Sequence, residues 1–338
     1  MDKDSLYILA IESSCDDTAC SILKDNQVLS NVVINQSVHV KYGGVVPELA
    51  SRAHQSNIVP VVELALKEAG IQKTQLDAIA FTSGPGLMGS LLVGTSFAKS
   101  LSLALRIPLI DVHHMRGHIL AHFIKSPRPA PQLPFLALTI SGGHTQIVRV
   151  NTVHNMEVLG QTRDDAVGEA FDKTGKMLGL GYPAGPQLDR LAQDGDSLRF
   201  EFPVPKAPAL DYSFSGFKTA VLYFLQKEIK KNANFIAENL NDLCASIQHT
   251  IVRILFKKLE LAVKQTGITT VAIGGGVSAN SAIRKKLESK QEQGWSTHIP
   301  PFEYTTDNAA MIGIAAYYKL LDKDFASMDT VAQPRFSL

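Results

Sequence analysis

The run Asp77-Ala78-Ile79-Ala80-Phe81-Thr82-Ser83-Gly84-Pro85-Gly86 reads as a strand closing in a glycine turn, and the apolar stretch Leu87 to Leu105 behind it reads as a helix. The same succession returns late in the chain. Thr269 to Ile273 is a strand, Gly274-Gly275-Gly276 is the turn, and Ala279 to Lys290 is the helix. A single glycine turn says little, because many are only tight turns. A repeated strand, turn and helix points to a duplicated unit.

Working outward, the elements ahead of each copy also correspond. Before the first copy, Leu6 to Ser13 is a buried strand followed by the polar turn Ser14 to Asp17. Thr18 to Leu23 and Gln27 to Ile34 are two more strands, joined by the hairpin turn Lys24-Asp25-Asn26. Pro47 to Gly70 is helical, with Pro60 expected to start a second helix and Gly70 to cap its end. Before the second copy, Phe135 to Ile140 is a buried strand ending in Ser141-Gly142-Gly143-His144-Thr145, and Gln146 to Val150 and Glu157 to Gly160 follow as strands. The proline-rich run Ser126 to Pro131 reads as a linker. Asp164 to Phe256 is mostly helical and reads as an insertion.

These patterns predict an α/β fold of two similar lobes facing an inter-lobe cleft, with glycine-rich strand ends at Gly142-Gly143 and Gly275-Gly276 supplying backbone N–H groups for phosphate. The expected division is residues 1–112 plus 308–338 for the first lobe and 113–307 for the second, with its helical insertion.

Ile107 to Val112 is a further strand, and His113-His114-Met115-Arg116-Gly117-His118 follows it. His114 and His118 are four apart, so on a helix their imidazoles share one face. Two neutral imidazoles at that spacing can share one metal ion. A carboxylate candidate, Asp307, stands far downstream in Thr305-Thr306-Asp307-Asn308-Ala309-Ala310, just ahead of the apolar helix Asn308 to Leu321. His122 continues the stripe, but the helix is turning there and it ranks lower. A zinc peptidase motif needs a glutamate after its first histidine, and Met115 occupies that place.

The chain has 338 residues, 19% of them charged and 45% hydrophobic, with a net charge of +1. The whole surface is therefore no magnet for nucleic acid, and such contact would need local patches or a partner. Lysine-rich stretches such as Lys227 to Lys231 and Arg284 to Lys290 also fit solvated helix faces. Cys15, Cys20 and Cys244 make no disulfide framework, which predicts a reducing, cytoplasmic setting. The start does not read as a signal peptide, and no apolar run reaches the ~20 residues of a membrane span.

Set together, several motifs resemble one family. They are Ile11 to Thr18, Tyr42-Gly43-Gly44-Val45-Val46-Pro47-Glu48, His114 to His118, Ser141 to Thr145, Gly168 to Lys173, Ser213-Phe214-Ser215-Gly216, Gly275 to Asn280 and Thr306 to Met311. In order and spacing they resemble the bacterial tRNA N6-adenosine threonylcarbamoyltransferases, once labelled sialoglycoprotein endopeptidases. The resemblance implies the duplicated two-lobed fold of actin, hexokinase and chaperone ATPases. It implies transfer of a threonylcarbamoyl group from threonylcarbamoyl-adenylate to N6 of adenosine at tRNA position 37, with release of AMP. His114, His118 and Asp307 match the ligands of one divalent metal ion, iron(II) ahead of zinc. Thr139, Ile140, Ser141, Gly142 and Gly143 match the loop that holds the substrate phosphate. Asp172, Gly185, Asp189 and Asn280 match nucleotide contacts. The implied partners are tRNA, a shorter paralogous subunit, a small ATPase subunit and a separate synthase of the adenylate. The apolar faces of the helices Pro47 to Gly70 and Leu87 to Leu105 are the expected contact with the paralogue.

Two other classes compete: an actin-like nucleotide-binding ATPase scaffold, and a metallopeptidase. Sugar kinases of this superfamily carry an Asp where Glu12 stands here, which argues against kinase chemistry. No base for the N6 proton stands out. Asn280 also fits a helix N-cap, and Cys15 also fits a small buried hydrophobe.

Overall fold

A computed structural model describes residues 5–338. Contacts divide the chain into two units: unit 1 holds the residues through Ala130 together with Pro300–Leu338, and unit 2 holds Pro131–Ile299. The lower boundary falls in the proline-rich run. The division differs from that expected at 112/113 and 307/308. His113 pairs with Gly84 in the first sheet, and the helix after it packs on a helix from residues 309–321, so the histidines belong to unit 1.

Unit 1 begins with β1 (Tyr7–Glu12), β2 (Asp17–Lys24) and β3 (Gln27–Asn35), an antiparallel meander in which Ile11 lies opposite Cys20. Then come α1 (Pro47–Ala69), β4 (Ala78–Gly84), α2 (Met88–Leu105), β5 (Leu109–His113) and α3 (His114–Leu120). The sheet order is β3-β2-β1-β4-β5, with β1, β4 and β5 parallel. Every residue of β4 is buried, as suits a central parallel strand.

Unit 2 repeats the plan. β6 (Phe135–Ile140), β7 (Thr145–Val150) and β8 (Met156–Gln161) form the meander. The helices α4 (Val167–Met177), α5 (Gly185–Ala192), α6 (Ser215–Ile229), α7 (Phe235–Glu238) and α8 (Leu240–Thr266) follow, then β9 (Thr270–Gly274), α9 (Ser281–Glu288) and β10 (Ser296–His298). Its order, β10-β9-β6-β7-β8, is the first sheet's order with the same parallel and antiparallel pairings. The last helix, α10 (Ala309–Leu321), returns to unit 1 and packs on β1, β2, β4 and β5.

Helix α1 corrects one expectation. Pro60 lies inside a continuous 23-residue helix. An interior proline costs about 3 kcal/mol. Here the ring is exposed, and the buried stripe Ala50, His54, Ile58, Val61, Val62 and Ala65 runs past it on both sides. That continuous packed face outweighs one lost backbone bond. Gly70 closes the helix in the left-handed conformation, as expected. The strand β10 has no counterpart in the sequence reading. It has only three residues, Ser296 to His298, too few to show a period. Helix α2 is long and apolar enough to cross a membrane by composition alone. In the fold it lies on β4, and Gly94 lets it approach the Ser13 hydroxyl so closely that a Cβ would stand 2.3 Å away.

At the edge of the second sheet, Tyr212 donates its N–H to Gln161 O at 2.9 Å and accepts from Arg163 N at 3.1 Å. The crossing segment presses on Gly160, where an added Cβ would meet Leu210 O at 2.3 Å. Gly160→Ala should therefore destabilise the protein by about 1–3 kcal/mol. Thermal unfolding of the variant checks it, and an unchanged midpoint would refute the close approach.

Candidate functional site

The centre grows from the end of β1. Glu12 closes an apolar strand and is 1% exposed. A carboxylate there must be compensated. Its Oε1 accepts from Ser14 N at 2.5 Å, and its Oε2 accepts from Thr82 Oγ1 at 2.6 Å on β4. His114 Nδ1 also faces Oε2, at 3.0 Å. The turn after β1 is held from two helices. His54 on α1 bonds Thr18 Oγ1 at 2.8 Å and Cys15 O at 2.9 Å, and Ser90 on α2 donates to Cys15 O at 3.0 Å.

His114 and His118 lie on one face of α3, with ring centroids 4.8 Å apart. Asp307, just ahead of α10, reaches both. Its Oδ1 lies 3.4 Å from His114 Nε2 and 3.1 Å from His118 Nε2. One ligand atom from each of the three residues fits within 4.8 Å. The expected triad is thus assembled inside unit 1. His122 stands in the short 3₁₀ turn Ala121–Phe123 beyond α3, outside that group.

The donor set suits a cation. With the Nδ1–H of His114 given to Glu12, its Nε2 lone pair points toward the Asp307 carboxylate. Two electron-rich atoms facing one another need a positive charge between them. Burial opposes protonation of His114, but Asp307 and Glu12 outweigh it and raise its proton affinity well above the usual imidazole range. Burial likewise opposes ionisation of Asp307, yet the two histidines hold it well below the usual carboxylate range. His118 Nδ1 is buried with no hydrogen-bond partner among the described residues, so its ring is held by the Nε2 contact to Asp307 and by edge-on packing against the His114 ring. A carboxylate bonded to the far nitrogen of a ligating histidine is the usual arrangement behind a metal.

Burial, then Asp307 and Asp16, push the neighbouring Asp17 up to about 7. Burial and Asp16 push the Cys15 thiol up as well, so it stays protonated at neutral pH and is no nucleophile. Met115, at the position after the first histidine where a zinc peptidase carries its glutamate, is 1% exposed in the core.

The other expected residues all lie in unit 2. Thr139 and Ile140 are fully buried in β6, and Thr139 Oγ1 has no hydrogen-bond partner. Ser141 closes the turn: its N–H bonds His144 O at 2.9 Å, and its Oγ accepts from His144 N at 3.1 Å. Gly142 and Gly143 look into open space, while Gly168 in α4 sits so close that an added Cβ would lie 2.7 Å from Ser141 O. The loop thus rests against the first turn of α4 with its two glycines exposed.

Asp172, Asp189 and Asn280 are each held by separate hydrogen bonds, at the start of α5, between α5 and Ser281, and at the start of α9. Asp172 Oδ1 accepts from Ala184 N at 2.9 Å and Gly185 N at 3.1 Å, at the start of α5. Asp189, further along α5, accepts from Ser281 Oγ at 2.7 Å and Ser281 N at 3.0 Å. Asn280 caps α9, its Oδ1 accepting from Ala282 N and Ile283 N at 3.1 Å, and its Nδ2 donates to Gln248 at 2.8 Å. The N-cap reading of Asn280 therefore holds.

Sequence reasoning missed Glu12 as the partner of His114, along with Thr82 and Gln248. The one available signal was a lone acid ending an apolar strand, which demands a partner.

A family model described as tRNA N6-adenosine threonylcarbamoyltransferase matches residues 27–314. A protein of that name from Christiangramia forsetii is 62% identical over 338 residues, covering 99% of each chain. Another from Cytophaga hutchinsonii is 55% identical and covers 99% of this chain and 97% of its own. Among solved structures, component A of (R)-2-hydroxyglutaryl-CoA dehydratase from Acidaminococcus fermentans superposes with a TM-score of 0.55 at 16% identity, over 94% of this chain and 99% of its own. Full-length HypF in its phosphate- and nucleotide-bound form gives 0.61 at 13% identity, over 94% of this chain and 46% of its own. At those identities the likeness speaks to fold alone, a duplicated α/β fold.

Glu12→Gln keeps the shape and removes the charge behind His114. Zn²⁺ affinity, measured by competition with a chromogenic chelator, should fall about 10–100-fold. Affinity equal to that of the unaltered chain would show that Glu12 only packs.

Proposed function

From the premise that this chain belongs to the tRNA N6-adenosine threonylcarbamoyltransferase family, we propose how its residues divide that reaction. The enzyme moves the threonylcarbamoyl group from threonylcarbamoyl-adenylate to N6 of adenosine at tRNA position 37. The new bond joins N6 to the carbamoyl carbon, the anhydride C–O bond breaks, N6 loses a proton, and AMP leaves. The observation that carries the assignment of roles is the convergence of His114, His118 and Asp307 in a chain that matches the family over most of its length.

His114, His118 and Asp307 hold one divalent metal ion, iron(II) ahead of zinc. When bound, the ion supplies a Lewis acid for the phosphate and acyl oxygens of the substrate. Glu12 fixes the tautomer of His114 and keeps Nε2 available as a ligand. The loop Thr139-Ile140-Ser141-Gly142-Gly143 receives the substrate phosphate on its backbone. The side chains of Thr139 and Ile140 are buried, so those two act through the main chain. Asp172 and Asp189 use their remaining lone pairs for ribose hydroxyls, as acids do in other nucleotide sites. Gly185 supplies close backbone approach, and Asn280 has one amide hydrogen left for the base.

The scaffold reading is disfavoured because an ATPase of that kind has no need of two histidines and an aspartate converging on one point. The peptidase reading lacks its base. The enzyme works in the cytoplasm with tRNA, a shorter paralogous subunit and a small ATPase subunit. The paralogue covers α1 and α2. Ile58, Val61 and Val62 are taken up by the core, but Val59 and Leu64 on α1 and Met88, Leu92 and Leu103 on α2 are exposed. Such an interface would bury about 1,600 Å² in all.

His118→Ala should lower metal content and reduce transfer by about 100-fold or more, the loss of a several-kcal/mol contribution. Mass spectrometry of tRNA nucleosides from cells carrying only the variant reads it out, and normal modification with full metal occupancy would overturn the assignment. Leu103→Asp combined with Leu92→Asp should abolish co-purification of the paralogous subunit and reduce transfer in step. Normal association would place that interface elsewhere.

A further inference from the structure

Helix α3 has only seven residues, and helices that short are marginal by themselves. Its ends must be held for His114 and His118 to keep one geometry. The N-cap is His113, whose Nδ1 accepts from Met115 N at 3.2 Å. The opposite ring nitrogen donates to Phe336 O at 3.0 Å, and the Phe336 ring packs on the imidazole at 4.6 Å. A single neutral tautomer, with the hydrogen on Nε2, serves both bonds.

Phe336 belongs to a segment laid across the strand-end turn of unit 1. Gln333 N donates to Ser83 O at 2.7 Å, and Gly86 N donates to Pro334 O at 3.2 Å. The approach is close enough to demand glycine, since a Cβ on Gly84 would stand 2.0 Å from Gln333 O. The turn passes the contact inward. Leu87 N donates to Ser14 O at 2.7 Å, and Ser14 Oγ lies 3.2 Å from His114 Nδ1. The segment therefore reaches the metal-ligating helix by two routes, one through the cap and one through the turn.

We propose that residues 332–336 form a strap that positions α3, with His113 and Phe336 as positioning residues that set how tightly His114, His118 and Asp307 bind their ion. The inference rests on the metal reading of those three residues. None of the strap residues is a ligand. Its effect is to hold a short helix in register with Asp307, so its loss costs metal affinity before it costs fold.

The test uses the full chain and Zn²⁺, titrated against a chromogenic chelator, with thermal unfolding of the metal-free protein alongside. Phe336→Ala should weaken Zn²⁺ binding about tenfold, the lower end of what supporting residues contribute. His113→Asn keeps a capping acceptor but cannot reach Phe336 O, and it should weaken binding to a similar degree. The two together should cost little more than either alone, because they cut one connection. Leu76→Ala, in the core of the same unit, should lower the unfolding temperature and leave Zn²⁺ affinity alone. Affinity within twofold of the unaltered chain in both Phe336→Ala and a deletion of residues 332–338 overturns the strap. So does an equal loss of affinity in Leu76→Ala, which would mean that any destabilisation loosens the site. If the unaltered chain takes up no Zn²⁺ at all, the metal reading fails and the strap falls with it.

Discussion

A buried carboxylate at the end of a strand is costly unless it is bonded on every side, and Glu12 meets that demand in a way that shapes everything near it. Ser14 N–H, Thr82 hydroxyl and His114 Nδ1 all converge on it. These bonds tie β1, the turn after it, β4 and α3 into one assembly. The negative charge also decides the chemistry of the histidine. A carboxylate only accepts, so it fixes a hydrogen on Nδ1, and together with Asp307 it raises the ring's proton affinity. Glu12 thereby fixes the orientation of the His114 ring.

Unit 2 shows a different economy. Its candidate nucleotide residues are also structural: Asp172 holds the start of α5, Asp189 ties α5 to Ser281, and Asn280 starts α9. Recognition groups that double as helix caps are preorganised, because their rotamers are fixed before any ligand arrives. The carboxylates keep unused lone pairs, so the two duties are compatible.

The duplicated plan was legible because its signals are local. Strands ending in glycine turns, and an apolar helix after each, can be read in a window of a few residues. The histidine pair was legible for the same reason, since i, i+4 is a local spacing. What was not legible depends on contacts far apart in the chain. The division at residue 113 could not be read, because it turns on His113 pairing with Gly84 and on α3 meeting α10. The continuity of α1 through Pro60 depends on the sheet beneath it. Glu12 could be seen as an oddity, but its partner lies 102 residues away. The helix insertion was visible in outline, while the bonds that Asp172, Asp189 and Asn280 make to distant backbone and side chains were not.

The placement of α10 bears on the order in which the ribosome makes the protein. Unit 2 is contiguous, so it can fold as soon as residue 299 has emerged. Unit 1 cannot: the face of its sheet that α10 covers stays bare until Leu321 is made. His118 and Asp307 are separated by 189 residues, so the nascent chain carries the two histidines over that stretch of translation without the carboxylate. The three side chains can converge only after residue 307 has been made, and the apolar sheet of the first half is a natural client for chaperones until α10 follows.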